Sequence, residues 1–395
     1  MNTAASNLLP KKVTEAIKSV VGVNPADLHE PEFVGNEWNY LKDCLDTGYV
    51  SSVGQYVDRF ERNLESFTGA KHAIAVVNGT SALHIALILA GIESGDEVLI
   101  PALTFVATAN AVTYLGATPH FVDSERQTLG IDAQKLKNYL QSISKMQGNT
   151  SINRKTGRRI RAIVPMHTFG HPSDLTGLIE VANEFNLVLV EDAAESLGSR
   201  FNGSHTGTFG KLGILSFNGN KIITTGGGGA ILTSDTELAM RAKQLTTTSK
   251  IPHKWEFRHS EIAYNYRLPN INAALGCAQI ENVEFKIAAK RELYIKYYEV
   301  FSKIEGVHLM REPNGSLSNY WLQTLLIDDP SLKLRDEILE ETNNAGYRTR
   351  PAWNLLSDLD QFGGSPKSDL TESHQLMNRI INLPSSPKLA RIVTD

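Results

Sequence analysis

Between residues 73 and 195 the chain repeats one unit, a short apolar run followed by a stretch with helical spacing. AIAVV (73–77) leads into SALHIALILAG, closed by Gly91, and EVLIPALTF leads into ATANAVTYLG. TPHFVDS follows, then IRAIVPMH and NLVLVEDAA, these last two separated by a helix predicted over 174–186. The apolar runs do not alternate with polar residues. A strand with one wet face would alternate, whereas one covered on both faces need not. The repeat therefore predicts an α/β fold with a mostly parallel central sheet and helices on both sides.

Outside this stretch the pattern changes. Three helices, over 12–21, 36–47 and 55–67, precede the first strand. Residues 142–161 are polar and basic and read as a solvated loop with a turn at Thr156-Gly157, in preference to a phosphate contact. Past about residue 270, one long helix (271–302) leads into shorter strands and helices. This divides the chain into N-terminal helices with a large domain over 1–270 and a smaller α+β domain over 271–395. No internal repeat is visible.

Composition excludes several classes. The 395 residues carry a formal net charge of −4, so the basic excess of a nucleic-acid or membrane-surface protein is missing. No apolar run approaches the roughly 20 residues that cross a bilayer. The opening MNTAASNLLPKKVTEAI lacks the basic-then-apolar order of a secretion signal. Cys44 and Cys277 are the only cysteines. They make no disulfide framework and cannot by themselves ligate zinc or an iron–sulfur cluster, so no metal centre is expected and a reducing cytoplasm is the natural compartment.

Three segments could carry chemistry. In NGTSALHIAL, the Gly79-Thr80-Ser81 turn opens a helix and offers backbone N–H groups and two hydroxyls to a phosphate. Alone, such a turn is more simply an N-cap. In NLVLVEDAAESLGS, Glu191 and Asp192 end an apolar strand, at the sheet edge where α/β proteins bind ligands. An acid there could hold a protonated ring nitrogen or a metal, or merely cap the next turn. In LSFNGNKIITTGGGGAIL, Lys221 precedes four glycines, Gly226 to Gly229. Confinement disfavours an ammonium and leaves a nucleophilic amine, although a lone lysine before glycines is more simply exposed. The three in this order decide the matter. Pyridoxal phosphate (PLP) needs an anchored phosphate, a carboxylate at its pyridine nitrogen and a lysine for its aldehyde.

NGTSALHIAL, PALTFVATANAV, EDAAESLGS, SFNGNK with its glycines, and YNYRLPNINAALG together resemble the DegT/DnrJ/StrS sugar aminotransferases, over nearly the whole chain. SFNGNKIITTGGGG and YNYRLPNINAALG are most similar to those of the legionaminic-acid and related acetamido-sugar pathways; TRPAWNLLSDLDQF and INLPSS also fit. The resemblance implies PLP fold type I, aspartate-aminotransferase-like. It assigns Lys221 as the Schiff-base lysine and Asp192 as the partner of the pyridine nitrogen. Thr80, Ser81 and Ser216 match phosphate ligands, with Gly79 in the same turn. Phe105 falls where an aromatic ring lies on the cofactor face, core packing being its plainer role. Asn265 matches an asparagine that reaches the neighbouring subunit's phosphate, which implies a homodimer with shared sites. Glu195 stands where many relatives have Gln or His donating to the cofactor's ring oxygen. A carboxylate cannot donate, so Glu195 is either protonated or turned elsewhere. His253, Lys254, Arg267 and Arg350 are the nearest cations for a substrate diphosphate, each equally able to be a surface residue. His167 reads as structural.

The implied reaction is a two-half transamination from L-glutamate to a nucleotide-linked 4-keto-6-deoxy sugar. The closest motifs single out a UDP-linked 2-acetamido sugar, with GDP- or dTDP-linked keto-sugars as alternatives. A PLP-dependent sugar dehydratase on the same fold would replace the lysine by histidine, and Lys221 stands against it. The intact set Thr80, Asp192, Ser216 and Lys221 stands against a non-catalytic binding protein.

Overall fold

The computed structural model describes residues 8–392; the first seven residues of the opening segment lie outside it. The main sheet has nine strands: β1 (His72–Val76), β2 (Glu97–Pro101), β3 (Thr118–Val122), β4 (Ser144–Gln147), β5 (Thr150–Asn153), β6 (Arg159–Ile163), β7 (Val188–Asp192), β8 (Leu212–Ser216) and β9 (Gly229–Thr233). Seven run in the order β1-β9-β8-β7-β6-β2-β3. From β8 to β3 every pairing is parallel, and β9 is antiparallel to both its neighbours.

Period-two geometry explains the unbroken apolar runs. Val98 and Ile100 of β2 pack on one side of the sheet with α4 (Gly79–Leu89), α5 (Val106–Thr113) and α8 (Thr236–Thr246). Leu99, between them, packs on the other side with α6 (Ala133–Ile143) and α7 (Leu175–Glu184). At the far end Ala73, Ala75, Leu215 and Leu232 pack with α3 (Gln55–Thr68) and α9 (Asn270–Glu281).

Two expectations are corrected. Residues 142–161 are a hairpin, not a loop: β4 pairs with β5, and β5 pairs antiparallel with β6. Most of its polar side chains, Lys145, Gln147, Arg154, Lys155 and Arg158 among them, are exposed as expected, but Ser151 and Asn153 are buried and paired inside the protein. Buried Glu97 accepts from the Asn153 amide at 2.9 Å and from the Thr156 hydroxyl at 2.6 Å, and buried Ser151 donates to the Phe185 carbonyl at 2.6 Å. The turn at Thr156-Gly157 is present, with Gly157 at φ +71°. The long helix over 271–302 is two helices, α9 and α10 (Val283–Phe301), separated at Asn282 (φ −112°, ψ 9°). The break lets each half serve its own core. Ala273, Ala274 and Cys277 pack with Phe60 and Phe217, while Leu293, Tyr297 and Phe301 pack toward the C-terminal sheet.

That second sheet is antiparallel, in the order β10 (Val307–Leu309), β11 (Gln323–Ile327), β13 (Ile380–Leu383), β12 (Arg350–Pro351). It shares its core with α10, with α11 (Leu332–Asn344) and with the N-terminal helix α1 (Leu9–Val21). The remaining helices are α2 (Glu37–Thr47), before α3, and α12 (Thr371–Met377), after α11.

The segment from Ser216 to Gly229 joins β8 to β9 and carries Lys221. Phe217 anchors it. Its N–H donates to Gly228 at 2.8 Å, its carbonyl accepts from Thr225 at 3.0 Å, and its ring meets Phe60 edge-on at 5.1 Å. Removing the Phe60 ring would leave a cavity beneath this loop. Phe60→Ala is expected to lower unfolding stability by about 3–5 kcal/mol, read from urea unfolding; a loss under about 1 kcal/mol would show that the loop does not depend on this contact.

Candidate active site

The carboxyl ends of β7 and β8, together with the turn after β1, open onto a cavity of ≈ 330 Å³. Gly79, Thr80, Phe105, Asp192, Glu195, Ser216 and Lys221 all line it. Parallel strands end on the same edge, so side chains far apart in sequence converge there.

On one wall is the start of α4. The Asn78 side chain accepts from the Ser81 N–H at 2.7 Å, which caps the helix. The first-turn N–H groups of Gly79 and Thr80 have no acceptor within the helix. Ser81 is buried behind them and does not line the cavity. A Cβ on Gly79 would lie 2.9 Å from the Ser216 Cβ, so only glycine admits this approach. The result is a cradle of free N–H groups and hydroxyls at a helix N-terminus, which fits a phosphate.

Asp192 lies at the far end of β7, buried, with its side chain facing the cavity. Its carboxylate accepts from the Thr108 hydroxyl at 2.8 Å and from the Ala194 N–H at 3.2 Å. Burial raises its pKa, opposed by these two bonds and by the charge of Lys221. A buried acceptor of this kind suits a protonated pyridine nitrogen. The neighbouring acid is already occupied. Glu191 accepts from the N–H groups of Gly207, Phe209 and Gly210, each at 2.7 Å, and meets His167 Nε2 at 3.1 Å. His167 in turn takes the Ser173 N–H on Nδ1 at 3.1 Å, so this histidine is a satisfied structural residue.

Lys221 projects between Glu195 and Trp321. Its Nζ is 3.2 Å from Glu195 Oε1 and 3.9 Å from the centre of the Trp321 ring. Glu195 Oε2 accepts from the Phe169 N–H at 2.9 Å, at a residue held in the left-handed region (φ +54°). Burial pushes the Glu195 carboxyl up to about 7, with Lys221 and the Phe169 N–H pulling down and Asp192 pushing further up. Its side chain is turned toward Lys221, and burial favours its protonated form.

Phe105 is on the cavity rim, 50% exposed, which excludes core packing. Its ring is tilted against Trp353 at 6.4 Å, and Trp353 stacks on Phe169 at 5.0 Å. Polar and aromatic lining residues beyond the predicted candidates include Asn78, Trp321 and Trp353. Asn78 belongs to the NGTS turn already read as a helix start. Trp353 lies in TRPAWNLLSDLDQF, whose likeness to the family gave it no role, and Trp321 had no local signal, because only the fold brings it there.

The remaining candidates lie elsewhere. Asn265 is outside the cavity, its side-chain oxygen accepting from Arg267 at 3.0 and 3.1 Å. Arg267 lines a separate cleft with Ser52 and Lys243. His253 and Lys254 are on an exposed loop, where the His253 ring caps the Glu256 N–H at 2.9 Å. Arg350 lines a cavity that adjoins Asn220 and Trp321.

The chain is similar to known proteins in sequence and in fold. The model of the DegT/DnrJ/EryC1/StrS aminotransferase family matches residues 31–392. GDP-perosamine synthase of Caulobacter vibrioides is 35% identical over 368 residues, covering 92% of this chain and 94% of that one. GDP-perosamine synthase of Vibrio cholerae is 35% identical over 365 residues, with the same coverage. Among solved structures, the aminotransferase TlmJ from Streptoalloteichus hindustanus superposes with a TM-score of 0.82 at 25% identity, covering 92% of this chain and 94% of that one. Among the described residues no helix is long and apolar enough to cross a membrane. The chain belongs to the DegT/DnrJ/EryC1/StrS aminotransferase family and is a PLP-dependent nucleotide-sugar aminotransferase on the fold type I scaffold.

Proposed function

We propose that the protein moves the amino group of L-glutamate to C4 of a UDP-linked 2-acetamido-4-keto-6-deoxy sugar, working as a homodimer in the cytoplasm. The observation that carries the reaction is one cavity holding Lys221 Nζ, the buried Asp192 carboxylate and the free N–H groups of Gly79 and Thr80. PLP, when bound, supplies the electron sink that acidifies the donor's α-carbon. The N–H groups of Gly79 and Thr80 and the Ser216 hydroxyl bind its phosphate. Asp192 holds the proton on its pyridine nitrogen. Lys221 Nζ would carry the proton from the donor α-carbon to the cofactor's reactive carbon in the first half, and from that carbon to the sugar C4 in the second. Phe105 and Trp353 both line the cavity, their rings 6.4 Å apart.

The acetamido assignment draws on the likeness of SFNGNKIITTGGGG and YNYRLPNINAALG to acetamido-sugar enzymes. A second reading, a GDP-linked sugar, draws on the names of the two relatives above. The dimer draws on the loop around residues 250–262, where Phe257 is 81% and Ile262 is 92% exposed. Apolar side chains so displayed call for a covering surface, and Asn265 follows directly in the chain. Cys44 and Cys277, buried free thiols, accord with a reducing compartment.

Substrate choice is tested by kcat/KM for UDP-2-acetamido-4-keto-6-deoxyglucose against GDP-4-keto-6-deoxymannose and dTDP-4-keto-6-deoxyglucose, with glutamate as donor. A site that hydrogen-bonds the acetamido group should favour the first by at least roughly tenfold. Faster turnover of the GDP sugar would establish the second reading instead.

Glu195 generates a pH signature. Its carboxyl lies above its ordinary 4.5 in the folded protein, so the folded state holds this proton more tightly. The stability it contributes is full below that ordinary value and is lost as pH rises through about 7. Unfolding free energy of the cofactor-free protein should therefore fall more steeply between about pH 5 and about pH 8 in the wild type than in Glu195→Gln, by up to ~3 kcal/mol. Parallel profiles for the two proteins would contradict the assignment.

A further inference from the structure

A second cavity, also ≈ 330 Å³, adjoins the first. Asn220 and Trp321 line both, so the two share a wall beside Lys221. Two acids, Asp27 and Glu30, and two arginines, Arg348 and Arg350, line the second cavity, and both acids have partners already: Glu30 is paired with Lys388, outside the cavity, at 2.7 Å, and Asp27 is 3.9 Å from Arg348. Arg350 has no carboxylate partner among the described residues; the only hydrogen bond of its guanidinium there is to the Thr349 carbonyl, at 3.3 Å. Nearby, His29 lines the cavity with both ring nitrogens buried and unpartnered. A buried imidazole without a hydrogen-bond partner is a feature that needs an explanation. Burial and the charges of Lys290, Lys286 and Lys221 hold its pKa well below the ordinary value, so the ring is neutral and keeps one N–H to donate. Behind it, Lys290 donates to the Ser385 carbonyl, and Lys286 to Gln279 at 2.6 Å and to the Glu32 carbonyl at 3.0 Å.

We propose that this second cavity binds a carboxylate of the amino donor, held by the Arg350 guanidinium and a ring nitrogen of His29, while the donor's amino end lies at Lys221. A guanidinium fork matches a carboxylate in shape and charge. One uncompensated cation balances one carboxylate, whereas a nucleotide diphosphate would bring more negative charge than the cavity can meet. This assigns Arg350 to the donor rather than to the sugar phosphates. It rests on the reading that glutamate is the donor.

The two halves of the reaction are measured separately on the holoenzyme. The donor half is the change in cofactor absorbance on adding glutamate; the acceptor half is its reversal when a keto-sugar is added to glutamate-treated enzyme. Arg350→Gln should lower kcat/KM for glutamate roughly ten- to hundredfold, the effect of one lost charged hydrogen bond, and leave the acceptor half unchanged. His29→Leu should act in the same direction. Calorimetric binding of glutarate, a dicarboxylate that cannot react, should weaken in parallel. Glutamine as donor distinguishes the two carboxylates. If the wild type disfavours glutamine and Arg350→Gln does not, the side-chain carboxylate occupies the cavity; an equal loss for both donors places the α-carboxylate there. An unchanged donor half, or a loss that falls on the acceptor half, overturns the proposal. Should the wild type take no amino group from glutamate, the donor reading fails, and the glutarate titration still decides the cavity, since unchanged affinity in Arg350→Gln overturns it.

Discussion

Two backbone segments meet where no side chain would fit, and the site depends on that approach. At Gly79 a Cβ would fall 2.9 Å from the Ser216 Cβ, and at Gly229 it would fall 2.6 Å from the Asn78 carbonyl carbon. Missing side chains let the start of α4 lie against the β8–β9 connection. One consequence is that free N–H groups and the Ser216 hydroxyl face the same space. Another is that Lys221, five residues beyond Ser216, is carried to the far side of that space. Gly226, at φ +78°, lets the chain turn back into β9. The cradle and the lysine are thus set by one packing contact rather than by two independent loops.

Electrostatics inside the cavity follow from burial. Asp192 and Glu195 are both desolvated, and one lysine faces them. Two carboxylates in such a place would not both ionise easily, and their neighbours separate their roles. Asp192 keeps two hydrogen-bond donors and is fixed at the strand end. Glu195 is tied by one oxygen to the Phe169 N–H and offers the other to Lys221. One acid can hold charge at a ring nitrogen while the other exchanges a proton with the amine.

Much of this was legible in the sequence, for identifiable reasons. Unbroken apolar runs signalled a doubly covered sheet because burial on both faces removes alternation. Glycine, lysine and the strand-end acid were legible because each chemistry restricts residue type. The hairpin over Ser144–Asn153 was not, because a strand pair whose side chains are mostly polar and exposed reads as a loop, and its two inward residues, Asn153 on Glu97 and Ser151 on the Phe185 carbonyl, give no apolar signal. Nor was the break at Asn282, since both halves of that region have helical composition and only the positions of two separate cores require a bend. Trp321 and His29 reach the site region from distant parts of the chain, with no local pattern to mark them. Asn265 lies outside the cavity of its own chain, its side chain bound to Arg267 two residues on.

The account turns on one atom, the Lys221 Nζ. Holoenzyme reduced with borohydride, digested and mapped by mass spectrometry would show which lysine carries the cofactor. Retention of the cofactor's mass on the peptide containing Lys221, and on no other, is the result predicted. Retention on a different lysine such as Lys211, or no covalent retention at all, would contradict the assignment.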